Sequence, residues 1–201
     1  MRNSTASLGA KESPIVRCCR KELSNPNIIN GTAYFICPEC GDVREVKNYR
    51  VYTTEDAINY FQNKYGFHLP KEYINISGSH ETKVIKLNST DIESLNFYFG
   101  NGFYEIGRFA SIDPNDENSI YNSVNSGREW GLPSAFIPLE GDGHTWLALD
   151  YSESEKEPKV VVTETDDGNS LIVANNFDEF ISNLLRYEEV YDLNGNVIYS
   201  K

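Results

Sequence analysis

Three strand-like runs in close succession, AFIPLE, HTWLALDY and KVVVTETDD, restrict the fold more than any other feature of the sequence. Each run is short and rich in β-branched or aromatic residues, as strands commonly are. The first two runs are separated by Gly141, Asp142 and Gly143, and a connection this short is typical of antiparallel strands. The pattern therefore predicts a mainly antiparallel sheet, with segments near 134–139, 144–151, 158–164 and 170–174.

Two amphipathic helices are predicted to cover this sheet. The first, near 54–65, follows Thr53 and precedes Gly66, residue types that commonly begin and end helices. The second, near 176–186, begins with Asn176 in a capping position, and its apolar residues recur at helical spacing. Those apolar residues are Phe177, Phe180, Ile181, Leu184 and Leu185.

Shorter patterns complete the prediction of an α+β fold. A short helix is expected from Pro70, strands in TKVIKLN and GFYEIGRFASI, and a further helix in DENSIYNSVNSGREWG. The final EEVYDLNGNVIYSK has two alternating runs around Asn194-Gly195, a dipeptide typical of tight hairpins. We expect a twisted, mainly antiparallel sheet flanked by helices, preceded by a small cysteine-bearing module.

The chain is expected to divide into three parts. Residues 1–14 are small and polar and are predicted to form a flexible tail, residues 15–50 form a small Cys-rich module, and residues 51–201 form the main domain with its C-terminal hairpin. No stretch approaches the roughly 20 apolar residues of a membrane span. The opening residues lack the apolar core of an export signal. A cytoplasmic protein without a membrane partner is therefore predicted.

The four cysteines indicate a possible zinc ribbon. Cys37-Pro38-Glu39-Cys40 followed by glycine has the spacing of a zinc knuckle, in which both thiolates point at one ion. Cys18 and Cys19 could complete a four-thiolate site, although adjacent cysteines tend to project differently and seldom chelate one tetrahedral ion. Structural zinc and plain reduced thiols both remain open at this stage. Four sulfur ligands would leave no open position for catalysis.

The net charge of −12 is unevenly distributed. Residues 1–50 hold eight basic and five acidic side chains, a net charge of +3, whereas residues 51–201 hold ten and twenty-five, a net charge of −15. The acidic domain would repel phosphate backbones, so we expect it not to bind nucleic acid. A basic protein partner would be attracted to it, although an acidic surface is also compatible with simple solvation.

Several motifs occur in an order that resembles one family. Leu69-Pro70-x-x-Tyr73 comes first, followed by Ile137-Pro138 before the glycine-rich turn, the aromatic strand Trp146–Asp150, the valines 160–162, and the helix start Phe177-x-x-Phe180. From about Thr53 to Leu185 the chain resembles the SUKH superfamily, which includes the Smi/Knr regulators of yeast cell-wall synthesis and many bacterial immunity proteins. The resemblance implies an α+β binding scaffold, and it does not extend to the cysteine-rich first 50 residues.

His144 raises the question of an active site in the turn. A hydrolase could use His144 with Asp142 or Glu140, but the sequence has no recognisable nucleophile elbow. A turn that enters a strand explains the same residues, because Gly141 and Gly143 permit positive φ and Asp142 can bond to its own turn. We therefore predict scaffold and partner contact, and no catalytic residue. Candidate partner-binding residues are Trp130, Glu140, Asp142, His144, Asp166 and Asp167, whereas Trp146 is expected in the core.

The leading functional hypothesis is a non-enzymatic immunity-type protein of bacteria. It would bind and neutralise a cognate protein toxin, such as a basic nuclease, by covering its surface. One alternative is a regulatory scaffold of the same fold without a toxin partner, and another is the hydrolase centred on His144. A nucleic-acid-binding role for the basic N-terminal module is disfavoured because its basic residues are scattered.

Overall fold

The computed structural model describes residues 16–23, 27–29, 32–47, 52–87, 101–166 and 168–200. The chain forms two compact units, Met1–Thr53 and Thr54–Lys201. The predicted flexible tail 1–14 and the candidate residue Asp167 lie outside the described residues. None of the helices in the described ranges has the length and apolar character of a membrane span.

The N-terminal unit is built from short antiparallel strands. A hairpin of β1 (Arg17–Cys18) and β2 (Lys21–Glu22) precedes a three-stranded sheet of β3 (Asn27–Ile29), β4 (Thr32–Ile36) and β5 (Val43–Lys47), in the order β3-β4-β5. Strands β4 and β5 thus flank the Cys37–Cys40 turn. A small core of Cys18, Leu23, Ala33, Phe35 and Cys37 stabilises this unit.

The larger unit contains the predicted four-stranded sheet. Its strands are β8 (Phe136–Gly141), β9 (Thr145–Asp150), β10 (Lys159–Glu164) and β11 (Ser170–Ala174), all antiparallel, in the order β11-β10-β9-β8. Residues 145–149 of β9 are all buried. Because successive side chains point to opposite faces of a strand, both faces of the sheet are covered at this position.

A second antiparallel sheet joins distant parts of the larger unit. It consists of β6 (Lys83–Lys86), β7 (Phe103–Ile106) and β12 (Leu184–Arg186), in the order β12-β6-β7. The strands predicted in TKVIKLN and GFYEIGRFASI are confirmed as β6 and β7. The third strand was not predicted from the sequence.

Five helices accompany the sheets in the described part of the larger unit. They are α1 (Thr54–Tyr65), α2 (Lys71–Ile76), α3 (Ile120–Glu129), α4 (Phe177–Ser182) and α5 (Tyr187–Val190). The Asn176 side chain accepts a hydrogen bond from the Glu179 backbone N–H at 2.8 Å, which confirms the predicted cap. Helix α4 contacts α2, β10 and β11 through the buried Phe177 and Phe180.

The prediction of one helix over 176–186 is wrong in its second half. Helix α4 ends at Ser182, and Leu184 and Leu185 pair as strand residues with Ile85 and Val84 of β6. Leu184 and Leu185 follow Ile181 at the i+3 and i+4 positions, a spacing that fits a helix. Two adjacent apolar residues also fit a short strand that completes a sheet edge. Pairing with β6 supplies the backbone hydrogen bonds that a further helical turn would have made.

The predicted C-terminal hairpin is replaced in part by a helix. Residues 187–190 form α5, whose start is closed by the Glu189 carboxylate, which accepts from the Arg186 backbone N–H at 2.7 Å. The chain still reverses near Gly195, which has a φ of 78°, but the described pairing there is a single bridge between Tyr191 and Val197. The capping interaction of Glu189 therefore favours a helical turn over the strand that the alternating sequence pattern predicts.

Phe180→Ala should lower the free energy of unfolding by about 3–5 kcal/mol, because the ring is fully buried against Phe109 and Phe177 and truncation leaves a cavity. Ile172→Ala is the matched control, since Ile172 on β11 is 49% exposed, and its loss should be about 1 kcal/mol or less. Urea denaturation measures both values. Equal losses for the two variants would contradict the packing of α4.

Candidate functional site

The four cysteine sulfurs of the N-terminal unit form one cluster. The Sγ atoms of Cys18, Cys19, Cys37 and Cys40 all lie within 4.8 Å of one another, with 3.4 Å between Cys18 and Cys40 and 4.0 Å between Cys18 and Cys19. No disulfide joins these four described cysteines. A tetrahedral ion with metal–sulfur bonds of about 2.3 Å requires sulfurs about 3.8 Å apart, so the cluster has the dimensions of a metal centre.

Two tight turns bring these sulfurs together. In the first, Cys19 and Arg20 both have positive φ, 52° and 64°, as the two central residues of a primed hairpin turn require. This turn brings Cys18 and Cys19 to the same centre, so the objection raised from the sequence against adjacent ligands does not hold. In the second, Gly41 has a φ of 72° and its N–H donates to the Cys37 carbonyl at 2.9 Å.

The knuckle turn also prepares Cys37 as a thiolate. Backbone N–H groups of Cys40 and Glu39 donate to its sulfur, and they lower the pKa of the Cys37 thiol to about 7. Cys18 and Cys37 are buried, whereas Cys19 and Cys40 are exposed. The cluster is thus half-enclosed, with polar backbone groups directed at the Cys37 sulfur.

A second candidate site surrounds the turn between β8 and β9. The Asp142 carboxylate accepts hydrogen bonds from the backbone N–H groups of His144 and Thr145 at 3.0 and 2.8 Å. Gly143 has a φ of 106°, and a Cβ at this position would lie 2.7 Å from the Trp130 ring. The sequence therefore permits here both a left-handed backbone and a close approach of the indole.

Three of the predicted partner-binding residues form one exposed surface. The rings of Trp130 and His144 are 5.0 Å apart edge-to-face, and His144 Nδ1 lies 3.0 Å from Asp166 Oδ2. Trp130 is 46% exposed, and the His144 and Asp166 side chains are also exposed. Trp146 is instead buried, as expected, and its indole N–H donates to the Gly143 carbonyl at 3.0 Å.

Glu140 points away from this surface. The pairing of β8 with β9 shifts register between Pro138 and Glu140, and Glu140 Oε1 accepts from the Gly107 backbone N–H at 2.9 Å. Burial raises the pKa of Glu140 to about 7, although the nearby N–H groups of Gly107 and Arg108 oppose the rise. The structure therefore does not combine Glu140 with His144.

Glu140 instead separates two cavities, of about 470 and 420 Å³. Asp142 lines the smaller cavity, together with Asn101, Tyr104, Glu105 and Tyr191. The sequence did not indicate these last four residues, because they come from β7, the turn before it and the chain after α5, and carry no local motif. These residues are distant in the sequence and approach one another only in the folded chain.

The family comparison agrees with this architecture. Residues 52–183 match the model of the SMI1 / KNR4 family (SUKH-1). The chain belongs to the SMI1/KNR4 family. The match begins next to the boundary between the two compact units, so it leaves the cysteine cluster outside. Searches against curated proteins and against solved structures return no match.

The SMI1/KNR4 match confirms the resemblance recognised from the ordered motifs. Those motifs are mostly core elements: Tyr73 and Ile137 are fully buried, and the Tyr73 hydroxyl donates to the Ala110 carbonyl at 2.5 Å. Motifs of this kind identify a scaffold and carry no information about a reaction. The partner-contact roles of Trp130, Glu140, Asp142, His144 and Asp166 remain predictions.

The raised pKa of Glu140 predicts a pH-dependent effect of Glu140→Gln. The folded state penalises the ionised carboxyl, so the penalty is absent below about pH 4 and complete above about pH 7. The stability of the variant relative to wild type should therefore rise across this window by about 1–3 kcal/mol. Urea denaturation between these pH values measures it. Glu157→Gln, at an exposed carboxyl, is the control, and a flat difference for Glu140→Gln would contradict the burial of this group.

Proposed function

We propose that this SMI1/KNR4 protein is a non-enzymatic immunity-type protein of bacteria that binds a cognate protein toxin and neutralises it by covering its functional surface. The observation that carries the proposal is the exposed surface of Trp130, His144 and Asp166. A large aromatic side chain held half-exposed beside a carboxylate is typical of the centre of a protein interface. The family includes immunity proteins, which supports this reading.

The charge distribution supports a basic partner. The domain after residue 50 has a net charge of −15, and such a field accelerates the encounter with a cationic protein. A nuclease toxin fits this requirement, because an enzyme that holds phosphates carries a positive cleft. Occlusion needs no chemistry from the chain, so a rigid turn with fixed side chains is sufficient.

The geometry around His144 does not favour the hydrolase alternative. Among the described residues, its ring contacts Asp166 and Trp130, and no hydroxyl or thiol group is hydrogen-bonded to it. Asp142 Oδ1 is engaged by two backbone N–H groups, and Glu140 is bonded to Gly107. Among the described residues, this turn therefore offers little support for the nucleophile–base pair that hydrolysis requires.

Co-expression tests the proposed function. The chain should restore growth to cells that express the toxin encoded next to it, and the two proteins should co-purify. Trp130→Ala should weaken the complex by about tenfold or more, since the loss of a central aromatic anchor costs about 2 kcal/mol. Ile172→Ala, which truncates an exposed apolar side chain on β11, should leave binding unchanged.

Growth that stays inhibited with a correctly folded chain would contradict the immunity role. A partner without toxic activity would favour the regulatory scaffold instead. Ester, peptide or phosphodiester hydrolysis that disappears in His144→Ala would favour the hydrolase.

We also propose that Cys18, Cys19, Cys37 and Cys40 hold one structural zinc ion. Four thiolates complete a tetrahedral zinc shell, so the ion would cross-link the β1–β2 turn to the knuckle that joins β4 to β5. A unit with a core this small gains much of its stability from such a cross-link. The ion would have no part in partner chemistry.

Protein purified without chelator should contain about one equivalent of zinc, as measured by elemental analysis. Cys40→Ser should reduce this content strongly, whereas Glu39→Gln, in the same turn, should retain it. Less than about a tenth of an equivalent in the wild-type protein would contradict the proposal and favour reduced thiols.

A further inference from the structure

One arginine side chain binds four carbonyl groups of the segment that joins α3 to β8. Arg128 Nη1 donates to the carbonyl oxygens of Leu132 and Pro133 at 3.2 and 2.5 Å. Its Nη2 donates to those of Ser134 and Phe136, both at 2.9 Å. The first three acceptors lie in the loop after α3, and the fourth is the first residue of β8. One residue in the last turn of α3 therefore fixes the path of the chain to β8.

This arrangement requires a guanidinium group. Arginine carries five N–H donors in a rigid planar fork, whereas the ammonium group of lysine has three donors and no plane. Four carbonyl acceptors converge on the side chain at position 128. A lysine there would leave at least one of them without its present donor, so the loop would be held less firmly.

Trp130 lies at the point where the chain reverses between α3 and this loop. The next residue, Gly131, has a φ of 90°, and its N–H donates to the Arg128 carbonyl at 3.1 Å. The Leu132 N–H donates to the Gly127 carbonyl at 2.8 Å. This pair of bonds is a Schellman motif, which ends the helix and turns the chain back. Because the Arg128 side chain holds the returning segment, the Trp130 backbone is anchored on both sides.

The Trp130 backbone position determines whether the indole reaches the turn between β8 and β9. A Cβ at Gly143 would lie 2.7, 2.8 and 3.2 Å from Cε2, Cζ2 and Cδ2 of the indole, so Gly143 lies against the face of the ring. A gap of about 0.5–1 Å already removes a quarter to a half of such a van der Waals attraction. A small displacement of the loop after α3 would therefore weaken this contact and release the indole.

We infer that Arg128 is a positioning residue of the proposed partner-binding surface, because it holds the loop so that one face of Trp130 rests on Gly143 while the ring stays 46% exposed. The inference rests on the proposed function for the role of the surface, and it adds the group that keeps the aromatic anchor in place. An anchor that is already ordered loses less entropy when a partner binds. A looser loop would thus lower the affinity through Trp130, without any contact from Arg128 itself.

NMR spectroscopy of the protein without its partner tests the positioning. In the wild-type protein, the ring current of Trp130 should shift one Hα of Gly143 upfield, and the indole N–H should have an order parameter of about 0.85, as rigid groups do. Arg128→Lys should remove most of the upfield shift and lower the order parameter. Arg186→Lys, at an exposed arginine that begins α5, is the matched control and should change neither value.

Two results of these measurements would overturn the inference. One is an Arg128→Lys variant that keeps both the upfield shift and the order parameter of the wild-type protein. The other is a Trp130 indole that is mobile in the wild-type protein itself, with an order parameter below about 0.6. The second measurement needs no variant, so it remains decisive if Arg128→Lys does not fold.

A double-mutant cycle with the captured toxin tests whether Arg128 acts through Trp130. Arg128→Lys should weaken the complex by about fivefold, but in the Trp130→Ala background it should add less than about twofold. Equal losses in the two backgrounds would overturn the inference and leave the proposed function standing. If no toxin is bound, the proposed function fails, and the NMR measurements still decide whether Arg128 positions Trp130.

Discussion

The packing of two tryptophan rings against two glycines determines the geometry of the whole turn between β8 and β9. A Cβ at Gly141 would overlap the Trp146 ring, and one at Gly143 would overlap Trp130. One indole is therefore locked in the core and the other is held half-exposed, with Asp142 closing the turn between them. The exposed surface of Trp130, His144 and Asp166 depends on this arrangement. The position of Asp142 at the smaller cavity beside Glu140 depends on it as well.

This arrangement suits the proposed role of a scaffold that binds a partner without performing chemistry. Rigid aromatic and acidic side chains on a tight turn lose little conformational entropy when a partner binds. The register shift that turns Glu140 toward Gly107 separates it from His144, so the carboxylate lines a cavity and does not assist the histidine. In the proposed function, steering by the acidic domain and anchoring by Trp130 would be complementary parts of one interface.

Much of the fold could be predicted from the sequence, because strand alternation and turn residues are local signals. The four-stranded sheet, the cap at Asn176 and the knuckle at Cys37–Cys40 are of this kind. Strand β12 was missed because Leu184 and Leu185 satisfy helical spacing as well as they satisfy pairing with β6. The four candidate metal ligands could be named from the sequence, but the positive φ of Cys19 that makes them compatible was not visible. The cavity could not be predicted, since Glu105 and Tyr191 approach Glu140 only in the folded chain.

Amide hydrogen exchange of the protein, alone and in complex with its captured toxin, tests most directly whether the turn between β8 and β9 is the centre of the binding surface. Slower exchange should appear at the amides of residues 130 and 141–145. Exchange in α1 and α2, which contribute no residue to the exposed surface of Trp130, His144 and Asp166, should stay unchanged. Protection confined to those helices, with residues 141–145 unaffected, would contradict an interface built on this turn.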